Sequence, residues 1–381
     1  MVNEYLHKKM DIPYNSVLYT DLDVLRDNVR SILRSLPNCC RLVPVLKDDA
    51  YGLGLEKIAG VLCEFPEITS FAVADVSEGV LLRQIATQHE ILVMSCALPF
   101  QLEAIVKWNL TAAAGRTGFV KELAEEARRQ EIIARIQIAV DTGLHRLGLE
   151  SGAPLQALLD EILSEKESII VSGCFSHVSD GDSSLICGEA YSRFSRAVEQ
   201  IAASGIQPGT RHLLASSSFE GHPEYAMDAV RLGRRLYMDH PTRPNGGVNE
   251  VSSWKCFISS LNDRKAGERL GYGGKTVLSR DSRVATISVG YGDGLNAELA
   301  AVHAPVLISG KRCPILFIMM DQAVVDVTGV DCKIGDSVTI FGWDENGASL
   351  PSQELALMIG DNEGCGLTSA LSSRVAREYL H

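Results

Sequence analysis

Short apolar runs of strand length alternate with helical patterns along much of the chain. From Arg41 onward, eight such runs cover residues 42–46, 70–74, 91–95, 111–114, 136–140, 169–176, 211–215 and 229–232. Between them, apolar residues recur every three or four positions, as in residues 117–130 and 190–204, which predicts helices that connect parallel strands. Eight strand and helix pairs in about 240 residues are typical of a closed (β/α)8 barrel, and a doubly wound open sheet is the alternative.

The pattern changes after Arg235. Residues 240–247, HPTRPNGG, form a turn-rich stretch of the kind that separates domains. Beyond it, short apolar runs separated by turn residues cover 251–261, 283–289, 304–309, 315–319, 322–327 and 337–341. We therefore expect a barrel domain at residues 1–240, followed by an all-β domain at residues 241–381 that forms a small barrel or a sandwich.

Composition and charge limit the class of protein. The 381 residues are 46% hydrophobic and 22% charged, which is typical of a soluble globular protein. There are 36 basic and 48 acidic residues, so the net charge is -12 and the surface would repel nucleic acid and anionic lipid. We expect neither nucleic acid nor a membrane as a partner.

The expected location is the cytoplasm. The first residues carry no apolar segment of signal-peptide length, and no stretch approaches the ~20 apolar residues that span a bilayer. Ten cysteines include no CxxC pair, and most lie beside apolar residues. In that compartment we expect them to be buried hydrophobic side chains rather than disulfides or metal ligands.

Polar and charged side chains lie at the ends of several predicted strands. In chain order these are Lys47, Asp141 with Arg146, His177, Ser216 with Ser217, and Arg231 with Gly233. Each alone has a structural explanation, since Lys47 fits a solvated strand-end charge, Asp141 a helix cap and His177 a core histidine. Because the βα loops of a barrel all open on one face, the set as a whole predicts a site for an anionic, phosphate-bearing aldehyde cofactor.

Residues 45–54, VLKDDAYGLG, resemble the cofactor-lysine segment of the alanine racemase family, whose members are barrel enzymes with pyridoxal 5'-phosphate and a C-terminal β domain. The resemblance extends over nearly the whole chain. It implies that Lys47 binds the cofactor aldehyde, that Tyr51 contacts the phosphate and that Arg146 reaches the phenolic oxygen and the substrate. The other cofactor-binding residues that it implies are His177, Ser216, Ser217, Arg231, Gly233 and Arg234.

Three segments of the predicted β domain resemble the family in the same order. LGYGG at 270–274 is similar to the catalytic-tyrosine segment, which makes Tyr272 the second catalytic residue beside Lys47. GYGDG at 290–294 and MDQ at 320–322 are similar to motifs that the resemblance places beside the substrate, with Tyr291, Met320 and Asp321. It also implies a homodimer in which the β domain of one chain covers the barrel of the other.

The reaction that the resemblance implies is the racemisation of an amino acid by two bases. Lys47 would exchange the α-proton on one face of the substrate, and Tyr272 on the opposite face. An arginine side chain can only donate hydrogen bonds, so Arg231 against the pyridine nitrogen would keep that nitrogen unprotonated. The cofactor would then be a weaker electron sink, which favours racemisation over transamination.

Three positions depart from the family pattern. Ala139 stands where many members carry a carbamylated lysine, so Arg146 would be held by chloride or by Asp141 instead. Ser216 replaces the asparagine that usually precedes the phosphate-binding serine. Ser373 stands where the family has a tyrosine that crowds the substrate, so the pocket would be larger. Alanine is the expected substrate, and serine or a broader range is the alternative.

Two other functions remain as alternatives. A decarboxylase of the same architecture would carry a triple-glycine phosphate loop and an acidic partner for the pyridine nitrogen, and neither is evident in the sequence. A non-enzymatic cofactor carrier built on the same barrel would need neither the β domain nor Tyr272.

Overall fold

The computed structural model describes residues 13–239, 247–362 and 364–381. These residues form two compact units. One unit is Val29–Leu236, and the other joins the described residues up to Asn28 to Tyr237–His381. The first strand, β1 (Ser16–Asp21), belongs to the second unit. The expected domain boundary after residue 240 and the turn-rich residues 240–246 lie outside the described residues, so this boundary stays a prediction.

Eight parallel strands close to the predicted runs form the first unit. They are β2 (Arg41–Pro44), β3 (Ser70–Val73), β4 (Glu90–Val93), β5 (Thr111–Ala114), β6 (Ala134–Ala139), β7 (Ile169–Phe175), β8 (Thr210–His212) and β9 (Ala229–Leu232). Strands β3 to β8 make one sheet and β2 pairs with β9. The ring closes through a bridge between Val45 and Ala72 and a 3.0 Å hydrogen bond from the Arg231 N–H to the Leu214 carbonyl. The predicted (β/α)8 barrel is confirmed.

Helices follow the barrel strands as the three- and four-residue spacing predicts. They are Leu55–Leu62, Val76–Arg83, Leu102–Lys107, Phe119–Arg129, Ala153–Ser164, Ser184–Ala203, Ser216–Gly221 and Arg234–Tyr237, and Leu22–Ser35 precedes β2. In Phe119–Arg129, the side chains of Phe119, Leu123 and Ala127 are fully buried, because positions so spaced share one face of the helix. Small and branched side chains fill the barrel interior, among them Val43, Ala72, Leu92, Ala113 and Ala139.

The second unit is built on an antiparallel barrel. Its strands are β10 (Ser252–Arg264), β11 (Arg269–Leu270), β12 (Thr276–Val277), β13 (Ser282–Ile287), β14 (Pro305–Ile308), β15 (Lys311–Ile318), β16 (Ala323–Asp326), β17 (Ser337–Trp343), β18 (Ser349–Leu350) and β19 (Ala376–Leu380). The order β10-β13-β16-β15-β14-β17 closes on itself because β10 also pairs with β17. The small-barrel alternative is therefore the correct one, and the sandwich is wrong.

Several elements of the second unit were not predicted. The all-β expectation lacked the helices Glu298–Ala301, Ser352–Met358 and Gly366–Ser369 and the 3-10 turns Tyr272–Gly274 and Tyr291–Asp293. It also lacked β1, which pairs in antiparallel fashion with β10 and in parallel with β19. These pairings join distant parts of the chain, so a local pattern carries little signal for them.

Two further expectations concerned the burial of the cysteines and the length of apolar segments. All ten cysteines are free, but burial holds for only half of them. Cys39 is exposed, and Cys40, Cys63, Cys96 and Cys365 are half-buried. The helices in the described ranges are all too short or too polar to span a bilayer.

Candidate active site

A cavity of about 390 Å³ opens at the carboxyl ends of the barrel strands. Seven of the residues that the sequence singled out line it, namely Lys47, Tyr51, Arg146, His177, Ser216, Arg231 and Gly233. The barrel brings them together because parallel strands end on one face, although up to 186 positions separate them along the chain. Ser217 and Arg234 are not among the lining residues.

Lys47 directly precedes a single left-handed turn, residues 48–51, just beyond β2. Asp48, Asp49, Ala50 and Tyr51 have φ of 57°, 53°, 54° and 59°. Residues with a Cβ rarely adopt this conformation, and a run of four is strained. The lysine Nζ lies 5.6 Å from the centre of the Tyr51 ring. The turn thus places an amine and a phenol side by side in the cavity wall.

Tyr51 lies against the backbone of Gly233. A Cβ at position 233 would be 2.0 Å from the Tyr51 hydroxyl oxygen, so only glycine leaves room for the phenol there. The Ser216 hydroxyl accepts hydrogen bonds of 3.3 and 3.4 Å from the N–H groups of Gly233 and Arg235. The phenol of Tyr51, the hydroxyl of Ser216 and the backbone of Gly233 therefore lie together in the cavity wall.

Arg231 is buried and its two terminal nitrogens are fully engaged. Nη1 donates to His212 Nδ1 at 2.7 Å and to the His212 carbonyl at 3.0 Å. The two N–H groups of Nη2 are shared among three acceptors, the carbonyls of Ser176 and Leu213 and His177 Nδ1, at 2.6, 3.3 and 3.3 Å. Nε–H has no acceptor among the residues that the structure describes, so this donor is left for a group in the cavity.

The protonation states around Arg231 follow from burial and charge. Burial, helped by the nearby Arg146, lowers the pKa of Arg231 to about 9, so the guanidinium stays charged at neutral pH. Burial and the charges of Arg231, Arg146 and Lys47 lower the pKa of His177 to about 3. Burial also holds the pKa of His212 well below its usual value. One permanent cation thus faces two neutral imidazoles.

A chain of hydrogen bonds continues from Arg231 through the barrel interior. Since a guanidinium only donates, His212 accepts at Nδ1 and carries its proton on Nε2, which lies 2.7 Å from Gln137 Oε1. Gln137 Nε2 in turn donates to Glu90 Oε1 at 3.0 Å. The Glu90 carboxylate orients the Gln137 amide, and the amide sets the His212 tautomer that receives Arg231.

Arg146 lines the cavity, and its guanidinium makes no hydrogen bond or ion pair with the residues that the structure describes. The proposed brace by Asp141 is wrong, because the Asp141 carboxylate accepts from the N–H groups of Gly143 and His145 and contacts His145 Nδ1 at 3.0 Å. Partial burial raises the pKa of Asp141, but these hydrogen bonds outweigh it and hold the pKa below its usual value. Ala139 is buried, and Leu147 packs on the cluster that contains it.

The other predicted site residues lie on one surface of the β unit. Tyr272, Met320 and Tyr291 expose 77%, 58% and 51% of their surface. The N–H of Tyr291 donates to the Met319 carbonyl at 2.9 Å, so the segments that follow β13 and β15 lie together. The Tyr272 ring packs edge-on against Phe317, with ring centres 6.3 Å apart.

Asp321 and Ser373 are exposed and belong to the same region. Asp321 follows Met320, and the N–H of Ser372 donates to the Asp293 carbonyl at 3.1 Å. Arg374 Nε lies 3.1 Å from Asp293 Oδ1, which fastens the Ser373 loop to the segment that carries Tyr291. Tyr272 packs on Phe317 of β15, the strand that leads to Met320, and we therefore group Tyr272, Tyr291, Met320, Asp321 and Ser373 under one name, the tyrosine surface.

Arg234 forms part of a buried ion pair instead of the cavity wall. It contacts Glu220 through Nη2, and Arg235 Nη1 contacts the other oxygen of Glu220 at 2.6 Å. Ser217 is the second residue of the helix Ser216–Gly221, directly after the lining residue Ser216. A role for either residue in phosphate binding stays a prediction.

Some lining residues were missed by the sequence reasoning. Met94, Ser95 and Cys96 follow β4 and line the cavity, and Ala74 follows β3. The strand-end rule that found Lys47 would also have found these positions, but their side chains carry no charge to attract notice. His212, Gln137 and Glu90 lie within predicted strands or next to one, where a polar residue gives no sign of its partner.

Two family models match consecutive parts of the chain. The alanine racemase N-terminal domain matches residues 20–241, and the alanine racemase C-terminal domain matches residues 251–379. The chain belongs to the alanine racemase family. The resemblance that the motifs indicated is therefore confirmed, and the chain is an amino-acid racemase with pyridoxal 5'-phosphate as its cofactor.

Individual relatives of the alanine racemase family match at nearly full length. The alanine racemase of Clostridium novyi (strain NT) is 31% identical over 371 residues, which are 94% of this chain and 94% of the relative. That of Symbiobacterium thermophilum is also 31% identical, over 94% and 95% of the two chains.

Solved structures of the family show the same fold. The alanine racemase from Streptomyces coelicolor A3(2) has a TM-score of 0.89 at 25% identity and covers 96% of this chain and 98% of its own. The alanine racemase from Bartonella henselae, solved with covalently bound pyridoxal phosphate, has a TM-score of 0.85 at 23% identity over 97% and 100% of the chains.

The cavity residues fit the cofactor of the alanine racemase family. The volume lies within the range of about 300–1,000 Å³ that holds small cofactors. An amine suits the aldehyde, the hydroxyls beside Gly233 suit the phosphate, and the unpartnered Nε–H of Arg231 suits an acceptor such as the ring nitrogen. Each donor type that the cofactor needs is therefore present in one space.

Proposed function

We propose that this protein interconverts L-alanine and D-alanine in the barrel cavity, with Lys47 and Tyr272 as the two proton-transferring groups. The observation that carries the proposal is the cavity, which Lys47, Tyr51 and Arg231 line together. When bound, pyridoxal phosphate supplies a conjugated ring that delocalises the charge left when the α-proton departs.

In this proposal, different barrel residues bind different parts of pyridoxal phosphate. Lys47 would hold the aldehyde carbon, and Tyr51 and Ser216 would hold the phosphate beside Gly233. His177 would lie beside the ring as a neutral imidazole, because the pKa of its imidazolium is about 3. Arg231 would donate through Nε–H to the ring nitrogen and leave it unprotonated. Less charge then spreads into the ring, which favours return of the proton to the α carbon.

The second base requires a group on the opposite face of the substrate, and we assign this to Tyr272. Its phenol is exposed on the tyrosine surface together with Tyr291 and Met320. We propose a homodimer in which this surface covers the barrel mouth of a second copy. Tyr272 and Met320 of one chain would then complete the site of the other, with Arg146, Tyr291 and Asp321 around the substrate.

A wider choice of substrate is the second candidate. Ser373 is exposed on the tyrosine surface, on the loop fastened by the ion pair of Arg374 and Asp293. A hydroxymethyl group at this position leaves more room than an aromatic ring and offers a hydrogen bond. Serine is therefore proposed as a competing substrate.

The cytoplasm is the proposed location. All ten cysteines are free, although five of them are exposed or half-buried. Free cysteines at accessible positions are typical of a reducing compartment.

The test is an exchange experiment with a panel of amino acids. The protein, loaded with pyridoxal phosphate, is incubated in D₂O with alanine, serine and other L- and D-amino acids. Proton NMR follows α-proton exchange, chiral chromatography follows configuration, and a trap measures carbon dioxide. We expect α-proton exchange with loss of enantiomeric purity and without release of carbon dioxide. Release of carbon dioxide would indicate a decarboxylase, and no exchange with any amino acid would indicate a cofactor carrier.

A further inference from the structure

Glu78 contacts the backbone of two neighbouring loops with one carboxylate. Its Oε1 accepts a 2.5 Å hydrogen bond from the N–H of Asp48, the residue directly after Lys47. Its Oε2 accepts from the N–H groups of Ala74 and Asp75 at 2.9 and 3.2 Å. The carboxylate thus joins the segment that follows Lys47 to the end of β3.

The Asp48 contact lies where the backbone most needs support. Pairing with the neighbouring strand continues as far as Leu46, whose N–H donates to the Ala72 carbonyl at 2.8 Å. Two residues later the left-handed turn begins at Asp48, with φ of 57°. Within the turn, the Gly52 N–H donates to the Asp48 carbonyl, and the Ala50 N–H donates to the Leu46 carbonyl at 3.1 Å, which ties the turn to the end of its own strand. The Glu78 contact is different, because it ties the turn to the neighbouring loop that follows β3.

The two oxygens of Glu78 can be assigned to different tasks. Oε2 completes the capping box of the helix Val76–Arg83, in which the Asp75 side chain accepts from the Ser77 N–H at 2.7 Å. Oε1 has no part in that cap, because Asp48 belongs to another loop. A residue needed only as a helix cap would not require this second contact.

We propose that Glu78 is a positioning residue for Lys47. Through the N–H of Asp48 it holds the left-handed turn in place, so that the lysine amine lies in the cavity. The catalytic part of this inference rests on the proposed function of Lys47, whereas the conformational part does not.

The test compares Glu78→Gln with Asp75→Ala. Glutamine keeps the shape of the side chain, but one end becomes an NH₂ donor and cannot accept on both sides. Asp75→Ala removes the other half of the same helix cap and leaves the Asp48 contact intact. Hydrogen–deuterium exchange of residues 48–52, with and without pyridoxal phosphate, is measured beside kcat and KM for alanine.

We expect Glu78→Gln to speed exchange at residues 48–52 about tenfold and to lower kcat about 10- to 100-fold, with KM changed less than about threefold. Asp75→Ala should lower the thermal stability and leave both exchange at 48–52 and kcat within about twofold. Equal losses in the two variants, or native exchange and kcat in Glu78→Gln, would overturn the proposal.

A double-mutant cycle with Asp48→Gly separates positioning from general stability. Glycine adopts a positive φ without steric cost, so the turn needs less support and Glu78→Gln should then cause a smaller loss. A capping role alone predicts the same loss in both backgrounds. If Glu78→Gln alone does not fold, its exchange rates and kcat are measured in the Asp48→Gly background instead. If the native enzyme racemises nothing, the proposed function fails, while the exchange comparison still decides the role of Glu78.

Discussion

Replacing Gly233 with alanine should displace Tyr51 and weaken cofactor binding. The new Cβ would lie 2.0 Å from the Tyr51 hydroxyl oxygen and 2.5 Å from Cζ, and contacts below 3.0 Å essentially never occur. The phenol must therefore move by about 1 Å or more, and misplacement of this size in an active site lowers rates about 100-fold. The overpacking itself should cost about 1–3 kcal/mol of stability.

The assay for Gly233→Ala combines cofactor affinity, kcat and urea unfolding. Gly60→Ala is the matched control, because no atom lies within 4 Å of its added Cβ in the helix Leu55–Leu62. That control should keep kcat and gain about 0.5–1 kcal/mol of stability. In the Tyr51→Ala background, Gly233→Ala should cause little further loss. Native affinity and kcat in Gly233→Ala would refute the contact between Tyr51 and Gly233.

The remaining predictions concern the reacting groups and pH. Borohydride should fix the cofactor on Lys47, and recovery of the reduced cofactor on another lysine by peptide mass spectrometry would contradict the assignment. Mixing inactive Lys47→Ala with inactive Tyr272→Phe should restore activity, and none after verified subunit exchange would place both bases within one chain. Ser373→Tyr should shift kcat/KM toward alanine over serine by about 10- to 200-fold, whereas an unchanged ratio would remove Ser373 from the substrate side. Burial lowers the pKa of His177 from 6.5 to about 3, so unfolding takes up a proton below pH 6.5. The free energy of unfolding of the cofactor-free protein should therefore fall as pH drops from about 6.5 toward 3, and urea titrations of His177→Asn should show a shallower fall; equal slopes would contradict it.

The barrel could be predicted because its strands are buried on both sides. Each strand therefore appears as a continuous apolar run. The residue that ends the run lies at the face of the barrel where the cavity opens, because all eight strands end there. Lys47, His177 and Arg231 were all found in this way, at the ends of the first, sixth and eighth predicted strands. Their order along the chain was enough to predict a common cavity without any knowledge of distances.

What the sequence could not provide were contacts between loops. Glu78 has the pattern of a helix cap, and nothing in its neighbourhood shows that one oxygen reaches Asp48. The placement of Asp141 beside Arg146 relied on proximity in sequence, but short local hydrogen bonds to Gly143 and His145 use the carboxylate first. Short backbone hydrogen bonds can thus compete with a contact to a side chain a few residues further on, and only the folded structure shows which one forms.

The pairing of β1 with β10 and β19 has a consequence for synthesis of the chain. Residues 16–21 are synthesised about 355 residues before their parallel partner, Ala376–Leu380. At about 5–20 residues per second, β1 waits roughly 20 to 70 s for that partner. Once β10 is made it can cover one edge of β1, but the edge that β19 will cover stays exposed to other nascent chains and to chaperones throughout this interval. A stop codon at position 376 would remove β19 and leave β1 without a partner on that edge, so solubility during expression would depend on residues 376–380.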